Sequence, residues 1–103
     1  MTQSDAKLLP ASIPQLTLLW VLQNLPVPGP YQGWTMMQIQ AACRFDKYPT
    51  KVVNACRNRK WLDIEPVRYH INITQAGQDI LHSCPAGHLE QIKTAVLKGK
   101  EHA

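Results

Sequence analysis

Between Thr35 and Leu81 the apolar residues keep a helical period twice, switch to strict alternation, and then return to a helical period. This succession constrains the chain more than any other feature, because it admits only a mixed α+β arrangement in which a small hairpin is inserted among short helices. Thr35 offers an N-cap for a helix ending near Cys43, with Met36, Met37, Ile39 and Cys43 on its buried side. Trp34, just before the cap, is placed to staple against Ile39 or a neighbour.

Pro49 and Thr50 open the next helix, which the pattern carries to Trp61. At roughly 100° per residue, Val52, Val53, Ala55 and Cys56 gather on about a third of its circumference and face the core. Thr50, Lys51, Asn54, Arg57 and Asn58 fall on the opposite side. Asparagine twice in a helix interior does nothing for helix stability, which turns attention to what that face contacts. The turn Arg44 to Tyr48, between these two helices, contains no glycine.

From Leu62 onward the period is two. Leu62, Ile64, Tyr69, Ile71 and Ile73 form one face of a hairpin, and Asp63, Glu65, His70 and Asn72 the other, with the turn at Pro66, Val67 and Arg68. Thr74 caps a helix from Gln75 to about His82, and Pro85 with Ala86 begins a last helix reaching roughly Lys98, along which Leu89, Ile92 and Val96 form one stripe.

Upstream, Ser12 caps a helix from Ile13 to Leu25 with Pro14 in its first turn, and Pro26 ends it. Leu16, Leu19, Trp20 and Gln23 make one stripe, while Leu18, Val21, Leu22 and Leu25 cover most of the rest. Two readings fit so much apolar surface. In one, Leu18, Val21, Leu22 and Leu25, with Leu89, Ile92 and Val96 of the last helix, form a homodimer interface; in the other, the helix is central and buried on several sides of a monomer. The segment Pro26 to Gly33 carries three prolines and two glycines and is a loop.

At 103 residues the chain has the size of one domain, divided as a flexible start (1–11), the helix and hairpin unit (12–83) and a C-terminal helix and tail (84–103). No apolar run is long enough to span a bilayer, and Met1 to Lys7 lacks the pattern of an export signal, so a cytoplasmic protein with reduced cysteines is expected. The net charge is only +4, but seven of the eleven Lys and Arg lie between positions 44 and 68, against three acids there. Such clustering favours a polyanionic partner.

The sequence Trp61-Leu62-Asp63-Ile64, followed by Tyr69 to Leu81, resembles the end of the recognition unit in bacterial and phage winged helix-turn-helix regulators. There an aromatic-apolar strand, a turn and a second strand lead into Thr-x-x-Gly-x-x-x-Leu, places held here by Thr74, Gly77 and Leu81. The resemblance covers about Thr35 to Leu81. It implies a mainly helical winged helix-turn-helix with a short two-stranded wing, acting as a DNA-binding transcriptional regulator whose recognition helix is Thr50 to Trp61.

Duplex DNA is accordingly the expected partner, with Thr50, Asn54, Arg57 and Asn58 reading bases and Arg44, Lys47, Lys51, Arg59, Lys60 and Arg68 contacting phosphates. Asp63 and Glu65 would repel phosphate, so contact through the helix is favoured over a deep wing contact. The rival reading is a winged-helix adaptor that binds protein rather than DNA. Catalysis is not expected: the chain offers no phosphate loop, no paired carboxylates in an apolar setting and no nucleophile with an evident histidine partner. No cofactor or metal is expected either. Cys43, Cys56, Cys84, His70, His82, His88 and His102 lack a Cys-x-x-Cys pair, and Cys84 with His88 is the nearest approach to ligand spacing.

Overall fold

The computed structural model describes residues 11–29 and 33–101. Within them the order is α1 (Ile13–Asn24), α2 (Met36–Cys43), α3 (Thr50–Asn58), β1 (Leu62–Ile64), β2 (Ile71–Ile73), α4 (Gln75–His82) and α5 (Ala86–Glu101). The fold is mixed α+β, a helical domain carrying a small antiparallel hairpin. Most of the expected flexible start, residues 30–32 of the proline-rich loop, and His102 with the end of the tail lie outside the described residues.

Helix α1 starts where its chemistry dictates. The Ser12 hydroxyl accepts from the Gln15 N–H at 3.3 Å, and the Gln15 side-chain oxygen accepts from the Ser12 N–H at 3.0 Å, so each satisfies a donor that the first turn leaves without a helical partner. The helix then runs through the centre of the domain, packed against α2, α3, α4, α5 and β2. Leu16, Leu18, Leu19 and Val21 are buried on all sides within the single chain. This decides between the two readings of α1 and corrects the dimer assignment. Leu18, Val21, Ile92 and Val96 are already buried where α1 meets the rest of the domain, and Leu22, Leu25 and Leu89 are half-buried against the same core. Apolar residues run nearly all round α1 because α2, α3, α4, α5 and β2 all pack against it.

Helices α2 and α3 end in the same way. In α2 the Phe45 N–H reaches the Gln40 carbonyl (3.1 Å) and the Arg44 N–H the Ala41 carbonyl (3.3 Å), with Arg44 left-handed at φ 60°. In α3 the Trp61 N–H reaches the Cys56 carbonyl (3.0 Å) and the Lys60 N–H the Arg57 carbonyl (2.9 Å), with Lys60 at φ 66°. This six-residue pattern satisfies the last carbonyls of a helix by reversing its hand for one residue. It also stops α3 at Asn58, three residues before the expected Trp61. On α2, Ile39 and Cys43 are buried as expected, but Met37 points outward and is 71% exposed.

The hairpin pairs Leu62 with Ile73, Asp63 with Asn72 and Ile64 with Ile71. Leu62 and Ile71 are buried and Asp63 and Asn72 exposed, as the alternation requires. Trp34 is not only a staple. Its N–H and carbonyl exchange hydrogen bonds with Ile71 at 3.0 and 2.8 Å, so it extends the sheet on the far side of β2. Tyr69 departs from the expected buried face: it is left-handed at φ 58° and 69% exposed, because the turn claims it. Glu65 and His70 close a four-residue loop through the Glu65 N–H (2.9 Å), and the Tyr69 N–H donates to the Glu65 carbonyl (2.7 Å).

Candidate nucleic-acid interface

Helix α3 is strongly two-sided. Val53 and Cys56 are fully buried, and Val52 and Ala55 are half-buried beside them. On the other side Thr50, Lys51, Asn54, Arg57 and Asn58 are all exposed. Among the described residues, no hydrogen bond or ion pair engages the side chains of these five, so the fold makes no polar use of them. The surface they form brings together two amide side chains, one hydroxyl and two cations, without an acid on the helix.

The flanking cations are placed by the helix endings. Arg44 leaves the end of α2 and Lys60 the end of α3, both exposed, while Lys47 in the connecting turn and Arg68 in the hairpin turn are exposed as well. Arg59 is set apart from this group. Its guanidinium lies over the Trp61 ring at 4.4 Å and donates to the Gln15 side-chain oxygen at 3.4 Å, tying the end of α3 to the start of α1. Arg59, expected in the phosphate set, is half-buried and engaged within the fold by these contacts, unlike the exposed cations around it.

Glu65 also has a structural role that its position on the polar face of the hairpin conceals. Its carboxylate accepts from the Val67 N–H at 2.6 Å and the Arg68 N–H at 2.9 Å. These backbone donors, aided by the charges of Arg68 and His70, hold its pKa below the ordinary carboxylate value. The acid is folded into the turn as an acceptor rather than standing out as an unattached charge. The turn itself presents Val67, 80% exposed, and Tyr69 beside Arg68. Sequence alternation hides this, since it assigns Tyr69 to the buried arm; the length of the loop is the signal that would have revealed it.

Burial pushes the thiols of Cys43 and Cys56 up to about 12, and Cys84 is raised in the same direction. The first two thus remain protonated core residues at neutral pH. Among the described residues no three His, Cys, Asp or Glu side chains group together as a metal site would require, and no helix is long and apolar enough to cross a membrane. Beside α2 an open depression is lined by Met37, Gln40, Ala41, Arg44 and Phe45. In comparisons with known families, curated proteins and solved structures, nothing matches the chain.

Proposed function

We propose that the protein is a winged helix-turn-helix DNA-binding protein, a transcriptional regulator that places α3 in the major groove of a duplex. The observation that carries this reading is the outer face of α3, where Asn54, Arg57, Asn58, Thr50 and Lys51 are exposed and make no polar contact within the fold. Asparagine and arginine present the paired donors and acceptors that read adenine and guanine edges, each good bidentate contact contributing roughly 1 to 3 kcal/mol of discrimination. Lys51, Arg44, Lys47, Lys60 and Arg68 supply the phosphate contacts that fix register. A homodimer on two half-sites remains part of the proposal, with its contact surface elsewhere than the buried stripe of α1.

Fluorescence anisotropy of a labelled mixed-sequence duplex across a salt series tests the reading. Binding that weakens steeply between about 50 and 200 mM salt, and weakens further in Asn54→Ala/Arg57→Ala, supports it. Absence of binding by the wild-type protein at low salt overturns it. A protein-binding module is the second reading, favoured by the exposed Met37 at the rim of the depression beside Phe45.

A further inference from the structure

Among the described residues five large apolar side chains are exposed, and three of them belong to two features of the surface. Val67 and Tyr69 stand in the hairpin loop, and Met37 borders the depression beside α2. The other two, Ile13 and Tyr48, are single side chains of the kind every surface carries. The two features differ in shape, one projecting and one hollow. The loop is fixed before it meets anything: the Glu65 carboxylate accepts the N–H groups of Val67 and Arg68, and the Glu65 carbonyl accepts that of Tyr69. The hollow forms around Ala41, a small exposed residue with Met37 one turn before it and Arg44 and Phe45 just after. Phe45 is anchored there, its N–H to the Gln40 carbonyl (3.1 Å) and its carbonyl to the Gln40 amide (3.4 Å), while Met37 is a flexible thioether that adapts to what enters.

We propose that these are the two halves of one contact between copies of this chain: the hairpin tip of one copy seats in the depression beside α2 of a second, and the reverse contact closes a two-fold pair. The inference rests on the homodimer in the reading above and gives that dimer a surface; it does not depend on DNA contact. A chain that carries both a rigid apolar projection and an apolar hollow is self-complementary about a two-fold axis, since each copy then covers both features of the other. The hollow is too open to enclose a small ligand and is covered only when another surface lies across it. The charges are matched as well. The loop carries one acid and one cation, Glu65 and Arg68, and the hollow has Arg44 in its lining with Asp46 next to Phe45, so each side offers a partner for either charge of the other. The outer face of α3 belongs to neither half, which leaves Asn54, Arg57 and Asn58 open in both copies.

The test is sedimentation velocity without DNA, from about 1 µM to 1 mM, the span over which a small contact dissociates. Three proteins are compared: the parent, the tip variant Val67→Ser/Tyr69→Asn, whose asparagine accepts the left-handed backbone at 69, and the hollow variant Met37→Gln/Ala41→Gln. All four replaced side chains are exposed, so the melting temperatures should match that of the parent. The expected result is a reversible parent dimer and self-association weaker by about tenfold or more in each variant alone. An equal mixture of the two variants should associate more strongly than either, because one intact tip then meets one intact hollow. A parent that stays monomeric overturns the inference, and so does a parent dimer that either variant preserves. A mixture no stronger than its components overturns it too, since like features would then be meeting like. The DNA reading is decided separately by the anisotropy series: a monomer that binds duplex leaves that reading standing, and a dimer of this kind that binds no duplex overturns that reading alone.

Discussion

The hydroxyl of Thr74 donates to the carbonyl of Lys60 at 2.7 Å, while the same oxygen accepts the Gly77 N–H at 3.2 Å. One side chain thereby caps α4 and holds the chain that has just left α3, and the Thr74 N–H adds a bond to the Trp61 carbonyl at 2.9 Å. The place where the proposed recognition helix hands over to the hairpin is fixed by the residue where the hairpin hands over to the next helix. Thr74→Ala is expected to lower stability by about 1 to 2 kcal/mol, the usual cost of an N-cap, with Thr74→Ser restoring most of it. Chemical denaturation of the three proteins checks this; equal stability of the Ala variant would show that the clamp is idle.

Gly77 lies where α4 passes closest to the end of α3. A Cβ there would collide with the Trp61 carbonyl and press on the half-buried Ile73 side chain at 2.8 Å, and neither a backbone oxygen nor the stem of a strand side chain packed on the core can move aside cheaply. Replacing a helical glycine with alanine ordinarily stabilises by about 0.5 to 1 kcal/mol. Here the sign reverses, and Gly77→Ala is expected to cost about 1 to 3 kcal/mol through overpacking. Gly87→Ala, where a Cβ meets nothing within 4 Å, is the internal control and should be neutral or slightly stabilising. Thermal melts of the two variants side by side decide the matter.

The Glu65 carboxylate is hydrogen-bonded to two turn N–H groups in the folded state and has no such partners when unfolded. Its folded pKa is therefore lowered, so its contribution is present above the unfolded carboxylate value and is lost as pH falls through the folded value. Amide chemical shifts of Val67 and Arg68 should move together on acidification, with a midpoint below that of an unperturbed glutamate. In Glu65→Gln the same amides should lose that titration. Amides that titrate unchanged in the variant would show that another group controls the turn.

Much of this architecture was legible because it follows from period and capping. Ser12, Thr35 and Thr74 each mark a helix start by the hydrogen bond their oxygen makes, and the alternation from Leu62 to Ile73 gives the hairpin its buried residues. The exposed face of α3 was legible for the same reason, since Val53 and Cys56 fix which side is buried. What escaped is what period does not encode. The stripe of Leu18 and Val21 shows that α1 needs a partner, but only the chain's long-range path reveals that the other elements of the same molecule, α5 among them, surround it. Arg59 and Lys60 are adjacent cations on one helix wheel, yet a one-residue reversal of hand after Arg59 sends one onto Trp61 and the other into solvent. Tyr69 was misplaced because a left-handed residue breaks the alternation that located its neighbours.

Three cysteines in different surroundings give a direct reading of the core. Cys43 and Cys56 are buried, and burial raises their thiols to about 12, whereas Cys84 is half-buried near the start of α5. The thiolate is the reactive species, so at pH 8 one thiol per folded chain should react with a disulfide reagent, the other two only after unfolding.

The same burial has a pH consequence. Because the folded pKa values of Cys43 and Cys56 lie above the ordinary thiol value of 9.0, the unfolded chain loses these protons first as pH rises. Their contribution to stability is thus complete below about pH 9 and declines as pH climbs toward 12.

Arg59 separates a structural cation from a binding one on neighbouring positions. Its guanidinium covers the Trp61 ring at 4.4 Å and reaches Gln15 at 3.4 Å, so Arg59→Ala removes a cation–π contact and a link between α3 and α1. Stability should fall by about 0.5 to 1 kcal/mol, the range for a partly exposed pair of this kind, and tryptophan emission should shift as Trp61 becomes more exposed to water. Duplex affinity and its salt dependence should stay near the parent values, because the guanidinium is engaged by Trp61 and Gln15 within the fold. Lys60→Ala is expected to behave oppositely, leaving the tryptophan spectrum unchanged and reducing the salt slope by about one. If Arg59→Ala instead flattens the salt dependence without changing stability, then Arg59 belongs to the phosphate set and its place over Trp61 is incidental.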